Sequence, residues 1–545
     1  MTGFDSASAP DAVVIGAGHN GLVAANLLAD AGWDVVVCEE QPRAGGAVAT
    51  AEVTAPGFRT DLFSAFYPLA AASPVIRGLE LENHGLSWSR APAVLTHVFP
   101  DDSSATLWQD AERTAAGLAE FNSADGDAWM RLVEEWDRVG DRIVDAVLKP
   151  FPPVTSVVRM LGRLGLDETL RLARLAVQPV RRFGDENFAG AGGPILFAGN
   201  ALHADLPPDG AGSAIYGWLL TMLGHDHGFP VPVGGAGQLV AALVRRLEAA
   251  GGTVRLNCPV RHIEVGADGA KGVVLESGER LRARRAVLAD VVAPTLFTKM
   301  IDPDRLPRRL LADLERFQWD APTMKVDFAL SRPVPWTAVA AREAGTVHLG
   351  VDLDGLTDYA ADLETRRIPQ RPFVLFGQMT TADATRSPEG TESVWAYTHL
   401  PRKTALTDEI IAEQTERIEA LVEAHAPGFR ASILGRHVQG PAELEHRNAN
   451  LVTGAINGGT AQLHQQLVFR PVPGLGGAAT PIDRLFLAGS SAHPGGGVHG
   501  ACGSNAARAA LARAGRTGRV RRSAQAALMK RIYRDPARAR STAHS

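Results

Sequence analysis

The stretch Asp11–Gly46, DAVVIGAGHNGLVAANLLADAGWDVVVCEEQPRAGG, decides the fold. It opens on the apolar run Ala12–Ile15, which reads as a buried parallel strand. Gly16-Ala17-Gly18-His19-Asn20-Gly21 follows, then a helical pattern through Ala31, a turn at Gly32, a second strand Val35–Cys38, and Glu39. Gly16 permits the tight strand-to-helix turn, Gly18 admits a pyrophosphate to the backbone, and Gly21 lets helix and strand pack closely. The helix N-terminus offers free N–H groups and a positive dipole end to phosphate. Glu39, closing the second strand, is placed to accept ribose hydroxyls. Strand, helix, strand and terminal acid fall at the spacing of a dinucleotide site, which a lone GxGxxG would not establish.

Composition bounds the rest. A chain of 545 residues that is 45% apolar can bury a large core and suggests two or three structural units. A net charge of −5 argues against a nucleic-acid partner. The cysteines Cys38, Cys258 and Cys502 are widely separated and form no CxxC, so neither a disulfide framework nor a dithiol centre is expected. That usage, and an N-terminus without a basic or apolar signal region, predicts a cytoplasmic protein. No apolar run reaches the ~18 residues of a spanning helix. Arg513–Ser545 carries ten basic residues against Asp535 alone. It reads either as a solvated terminus or as a peripheral contact with anionic membrane.

Along the chain, helical periodicity runs over 110–148 and 154–182, broken by Lys149-Pro150-Phe151-Pro152-Pro153. Nucleotide-domain character resumes with a helix over 238–250, a strand over 253–257 and a short meander ending in Ala286–Asp290. A second nucleotide fingerprint is rejected, because the frame Gly235-Ala236-Gly237-Gln238-Leu239-Val240 has Val240 where the third glycine is required. Strands over 324–330, 373–378 and 393–398 and a helix over 408–424 follow. Near the end, an apolar strand runs into Gly489-Ser-Ser-Ala-His-Pro-Gly-Gly-Gly-Val-His-Gly500 and then a helix over 501–514. The predicted fold class is α/β: a discontinuous Rossmann-type nucleotide domain with an inserted α+β substrate domain of mixed sheet and helices. Its pieces are 10–90, 230–291 and 481–514 for the nucleotide domain. A mainly helical 91–229 and a mixed 292–480 make the substrate domain, and 515–545 is a basic tail.

Glu39, Arg43, Gly45 and Gly46 form ExxxRxGG, which resembles the extension found in flavoproteins. Gly45-Gly46 alone would serve a surface turn equally well. With GGAGQLVAALVRRLEAAGGTVRLNCPV, FRPVP and LFLAGSSAHPGGGVHGACGSNAARAA, nearly the whole chain resembles the phytoene-desaturase-like, or carotenoid oxidoreductase, branch of the flavin amine oxidase superfamily. The resemblance implies non-covalent FAD. It places Gly16, Gly18 and Gly21 at the pyrophosphate, Glu39 at the adenosine ribose, Arg43 and Gly46 beside them, and Val260 at the adenine. Gly489, Ser490 and Val498 match the C-terminal FAD loop, with Ser490 standing where many relatives carry an aspartate.

The implied reaction moves a hydride between an apolar polyene, isoprenoid or lipid-like molecule and flavin N5, as desaturase, saturase or isomerase, with oxygen or a quinone as electron partner. Lys325, mid-strand in Pro322-Thr-Met-Lys-Val-Asp-Phe-Ala-Leu330, is the catalytic candidate, by similarity to the superfamily lysine that holds a water near N5. The plainer reading is a lysine guarding a sheet edge. The alternatives are a flavin amine oxidase, which requires an aromatic cage, and a non-catalytic isoprenoid or lipid carrier on this scaffold. His493 and His499 lack a third ligand, so no metal site is expected. The absence of GxSxG gives no support to a hydrolase.

Overall fold

The computed structural model describes residues 9–150 and 154–534. The nucleotide domain is built on a five-stranded parallel sheet. In order across it run Leu485–Leu487, Ala286–Ala289, Ala12–Ile15, Val35–Cys38 and Thr253–Arg255. Such a sheet is covered on both faces, which is why its strands are continuous apolar runs rather than alternating ones. Ala12 and Val14 face helices His19–Asp30, Gly237–Ala249 and Ala501–Ala514. Val13 and Ile15 face the opposite way, against the meander Val260–Arg282 and the helices Ala293–Lys299 and Arg308–Leu314.

The inserted domain is organised by one seven-stranded mixed sheet. Its order is Ile433–Gln439, Thr323–Leu330, Glu392–His399, Val374–Gln378, Ala344–Leu349, Ala93–Val98 and Ser104–Leu107. The piece 91–229 is therefore not simply helical. It opens with two strands, and Ala93–Val98 pairs in parallel with Ala344–Leu349, so both inserted pieces share one sheet. The helices follow after these strands. In Asp125–Leu148, Trp129, Leu132, Val133, Trp136 and Val139 form a buried stripe at helical spacing.

Strand Thr323–Leu330 shows how the sheet presents chemistry. Met324, Val326, Phe328 and Leu330 pack against helix Asp408–His425, while Thr323, Lys325 and Asp327 project from the other face. The strand pairs on both sides, so Lys325 does not guard an edge.

The segment expected as a basic tail continues into helix Gly518–Ile532. Met529, Ile532 and Tyr533 pack on the core below the parallel sheet, and the Tyr533 hydroxyl donates to Pro473 O at 2.9 Å. Ile532 and Tyr533 thus serve the body of the protein. Arg516, Lys530, Arg531 and Arg534 remain exposed. Among the described residues no helix is long and apolar enough to cross a membrane.

Candidate active site

Two connected cavities lie between the sheets. An outer cleft of about 1190 Å³ is lined by Gly16, Glu39, Arg43 and Val260. An inner cavity of about 310 Å³ is walled by Phe63, Phe66, Tyr67, Leu220, Trp395 and Tyr397. Gly18, Gly46, Asp290, Asn448 and Asn450 line both, so the two form one path.

The turn after strand Ala12–Ile15 is shaped by close approach. Gly16 has φ +90°, and a Cβ on Gly18 would stand 2.6 Å from Asp290 Oδ2. A Cβ on Gly21 would fall 2.1 Å from Gly16 O, an impossible contact, so glycine there is what lets the helix start so near the strand. The Gly21 N–H donates to Asp290 Oδ2 at 2.9 Å, which places Gly21 behind the turn rather than on the cleft wall. The Gly45 N–H donates to Ala17 O at 3.0 Å, which brings the ExxxRxGG segment alongside the same turn.

Glu39 braces this cradle. Its Oε2 accepts from Ala17 N at 2.7 Å and its Oε1 from Gln41 N at 2.9 Å, leaving a lone pair on each oxygen. Burial raises its pKa against those two donors. Asp290 ends strand Ala286–Ala289 directly against the glycine turn. Burial, with the charge of Glu39 adding to it, outweighs the Gly21 N–H and lifts its pKa to about 7.

Lys325 lines the inner cavity, where its Nζ donates to Asp61 O at 2.9 Å and pairs with the Asp327 carboxylate. Asp61 is itself clamped: Arg386 Nη2 lies 2.8 Å from its Oδ1, which also accepts from Thr50 Oγ1 and Ala236 N. Two cations and two carboxylates thus form one buried network that ties the inserted sheet to the nucleotide domain.

Of the expected cofactor residues, Gly16, Glu39, Arg43 and Val260 line the outer cleft, Gly18 and Gly46 line both spaces, and Ser490 and Val498 line the inner cavity. Gly489 lines neither and supports Asp290 from behind, its Cβ position lying 3.2 Å from Asp290 Oδ1. The helix after this loop runs over Ala501–Ala514, as expected.

Several site residues escaped sequence reasoning. Asn450 grips the Asp290 segment, donating to Asp290 O at 3.1 Å and accepting from Val292 N at 3.0 Å. Arg470 is fully buried and donates to Asn457 O, Thr460 O and Ser490 O, locking the C-terminal glycine loop. A lone arginine inside the otherwise apolar FRPVP is the signal the sequence offers.

The Cys258 N–H donates to Glu39 O at 2.8 Å, which sets Cys258 beside Cys38 although the two are far apart in sequence. Both are free and buried, and burial first, Cys258 second, hold the Cys38 thiol far above its ordinary range, so Cys38 is a poor source of reactive thiolate. Cys502 is buried behind the glycine loop, its thiol 3.5 Å from Ala492 O and Gly495 O. Among the described residues no group of three His, Cys, Asp or Glu is placed to hold a metal ion.

A parallel sheet, a glycine cradle, an acid after its second strand and a long cleft entering an apolar chamber define an FAD-dependent oxidoreductase. The chain belongs to the flavin-containing amine oxidoreductase family, whose pattern matches residues 21–511. It is 30% identical to pyridine nucleotide-disulfide oxidoreductase domain-containing protein 2 of Rattus norvegicus, over 91% of this chain and 92% of that one. It is 24% identical to the neurosporene-forming phytoene desaturase of Rhodobacter capsulatus, over 90% and 92%. An oxidoreductase from Methanosarcina mazei shares the fold with a TM-score of 0.62 at 15% identity, over 92% of this chain and 99% of that one.

The residues present fit FAD. Gly16 and Gly18 line the outer cleft with bare backbone, which suits a pyrophosphate, and the Glu39 oxygens keep lone pairs for ribose hydroxyls. Arg43 supplies a cation at the same cleft.

Proposed function

We propose that the protein moves a hydride between an uncharged, largely apolar molecule in the inner cavity and FAD in the outer cleft, as a desaturase, saturase or isomerase. The observation that carries this reading is the lining of the inner cavity. Its walls are mainly aromatic and aliphatic, and among the described residues its charged members are Lys325 and Asp290. Asp290 stands at the glycine turn, on the cofactor side. An ammonium substrate would meet a lysine and no free carboxylate, and charge burial without a partner is costly. Trp395 and Tyr397 lie against each other, ring centroids 5.7 Å apart and 23° from parallel, so they form a wall and not a gap that sandwiches an amine. At about 310 Å³ the cavity is at the small end of ligand pockets, which favours a compact terpenoid-sized molecule or a single chain entering from one end.

FAD, when bound, supplies the two-electron redox chemistry. The chain's own residues position and exclude. Phe63, Phe66 and Tyr67 remove water from the reacting molecule. Lys325 Nζ uses two of its three N–H donors on Asp61 O and Asp327, and the third is free to hold a water in the cavity. Oxygen or a quinone takes the electrons onward. The exposed cations Arg516, Lys530, Arg531 and Arg534 support peripheral contact with anionic membrane, from which an apolar substrate is collected.

The test is anaerobic incubation of the FAD-loaded protein with uncharged terpenoids and polyenes beside primary amines and polyamines. Bleaching of the flavin's visible absorption by an uncharged member supports the reading. Bleaching by amines alone would overturn it.

A further inference from the structure

Two imidazoles meet at the wall of the inner cavity. His203, which closes helix Gly192–Leu202, lines that cavity, and its Nε2 lies 2.8 Å from Nε2 of His348. His348 is fully buried on strand Ala344–Leu349. Room for its ring is made by Gly199, where a Cβ would stand 2.4 Å from His348 Nδ1. His97 packs edge-on against His348 and uses its own Nε2 to donate to Val351 O at 2.8 Å.

A contact between two ring nitrogens needs one proton, and the surroundings decide whose it is. Burial, with the neighbouring His399 adding to it, holds His203 down to about 3, and burial holds His348 well below its ordinary value, so both rings are neutral. His348 Nδ1 is buried with no hydrogen-bond partner. A proton there would be an orphaned buried donor, which folded proteins rarely tolerate, whereas a bare acceptor costs less. His348 therefore carries its proton on Nε2 and donates it to His203 Nε2. The proton of His203 is thereby fixed on Nδ1, and no described protein group accepts from that atom. Thr323, also on the cavity wall, is 3.1 Å from Nδ1 of His399, whose Nε2 is 2.9 Å from Asp205, so this neighbour is committed to its own pair.

We infer that His203 presents a fixed Nδ1–H donor to the inner cavity and that the substrate is an apolar molecule bearing one neutral acceptor oxygen, such as a ketone, aldehyde or hydroxyl, rather than a bare hydrocarbon. This rests on the inner cavity being the substrate site. A pocket built to hydrogen-bond a group discriminates strongly against the analogue lacking it, because its own polar atom is left dry and unpaired.

Carvone and limonene share one ten-carbon skeleton, and only carvone has a carbonyl. Each is titrated into the FAD-loaded protein and followed by the visible spectrum of the cofactor and by thermal unfolding. The expected result is tighter binding of carvone by at least about tenfold. His203→Phe removes this preference with FAD content and limonene binding unchanged, and His203→Gln, which keeps an N–H donor, retains part of it. Equal binding of the two probes by the unaltered protein, or a preference that survives in His203→Phe, overturns the inference and leaves the cavity reading standing. The first comparison needs no variant, so a variant that fails to fold does not blunt it. If neither probe registers by either measurement, the cavity is not the substrate site and the inference falls with that reading.

Discussion

Replacing Asp290 by asparagine should flatten the pH dependence of FAD binding. The carboxyl stands against the phosphate-facing turn, with a pKa of about 7 in the folded protein and 3.8 in the unfolded chain. Burial is the main cause, the Gly21 N–H opposes it, and Glu39 adds to it. The sign follows from proton counting. Below about pH 4 both states hold the proton and the group contributes nothing. From there to about 7 the unfolded chain releases its proton first, so folding loses stability as pH rises. The gap between 3.8 and about 7, at about 1.36 kcal/mol per pH unit, sets an upper limit of about 4 kcal/mol, complete above pH 7. A bound pyrophosphate brings further negative charge to the same turn, so the complex keeps the proton on Asp290 after the free protein has lost it. FAD affinity should therefore be flat below about pH 7 and weaken up to tenfold per unit above it. Asparagine keeps an oxygen for the Gly21 N–H and offers an amide donor to the cleft, with no charge to titrate. The assay is FAD release, read by the fluorescence of free FAD from pH 5.5 to 9 in both proteins. Parallel slopes in wild type and Asp290→Asn above pH 7 would refute the reasoning.

Arg470→Met should strand the carbonyls of Asn457, Thr460 and Ser490, destabilising the protein by at least about 3 kcal/mol and loosening FAD retention; a wild-type urea midpoint would count against the clamp. Lys325→Met leaves Asp327 buried without its cation at a cost of about 3–5 kcal/mol, and Asp327→Asn in the same chain should restore much of that, as a denaturation cycle over both singles and the double would show. Reversing the charges of Lys530, Arg531 and Arg534 together should abolish low-salt sedimentation with phosphatidylserine vesicles without lowering thermal stability, since all three are exposed. Point reversals isolate the charge, whereas truncation after Gly515 would also strip Met529, Ile532 and Tyr533 from the core.

What was legible in the chain is what local physics writes there. Ala12–Ile15 and Val35–Cys38 form as expected, because a strand covered on both faces must be apolar throughout, and the glycines between them answer to contacts a few residues away. Lys325 was legible as unusual, since a lysine in an apolar strand demands a partner; the identity of that environment, Asp327 and the Asp61 carbonyl, was not. Asp290 reads in sequence as a polar end to an apolar strand, and only the fold sets it against Gly18 and Gly21. Ala93–Val98 reads with the helical stretch that follows it because its partner strand lies at 344–349, beyond any local pattern. His203 and His348, and Cys38 and Cys258, meet for the same reason: tertiary contact ignores distance along the chain.

The strand order of the parallel sheet also fixes when the protein becomes able to hold its cofactor during synthesis. Ala12–Ile15, carrying the phosphate turn, is made first, yet one neighbour, Ala286–Ala289, emerges only after the helical insertion, and the sheet's last strand, Leu485–Leu487, only near the end. Asp290, Asn450 and the Arg470-locked loop arrive in that same late span. An N-terminal fragment on the ribosome thus has the fingerprint without the pocket, and exposes an apolar strand edge until residue 487 is available. The cofactor site is therefore complete only late in synthesis, and the interval before that is when chaperone shielding matters most.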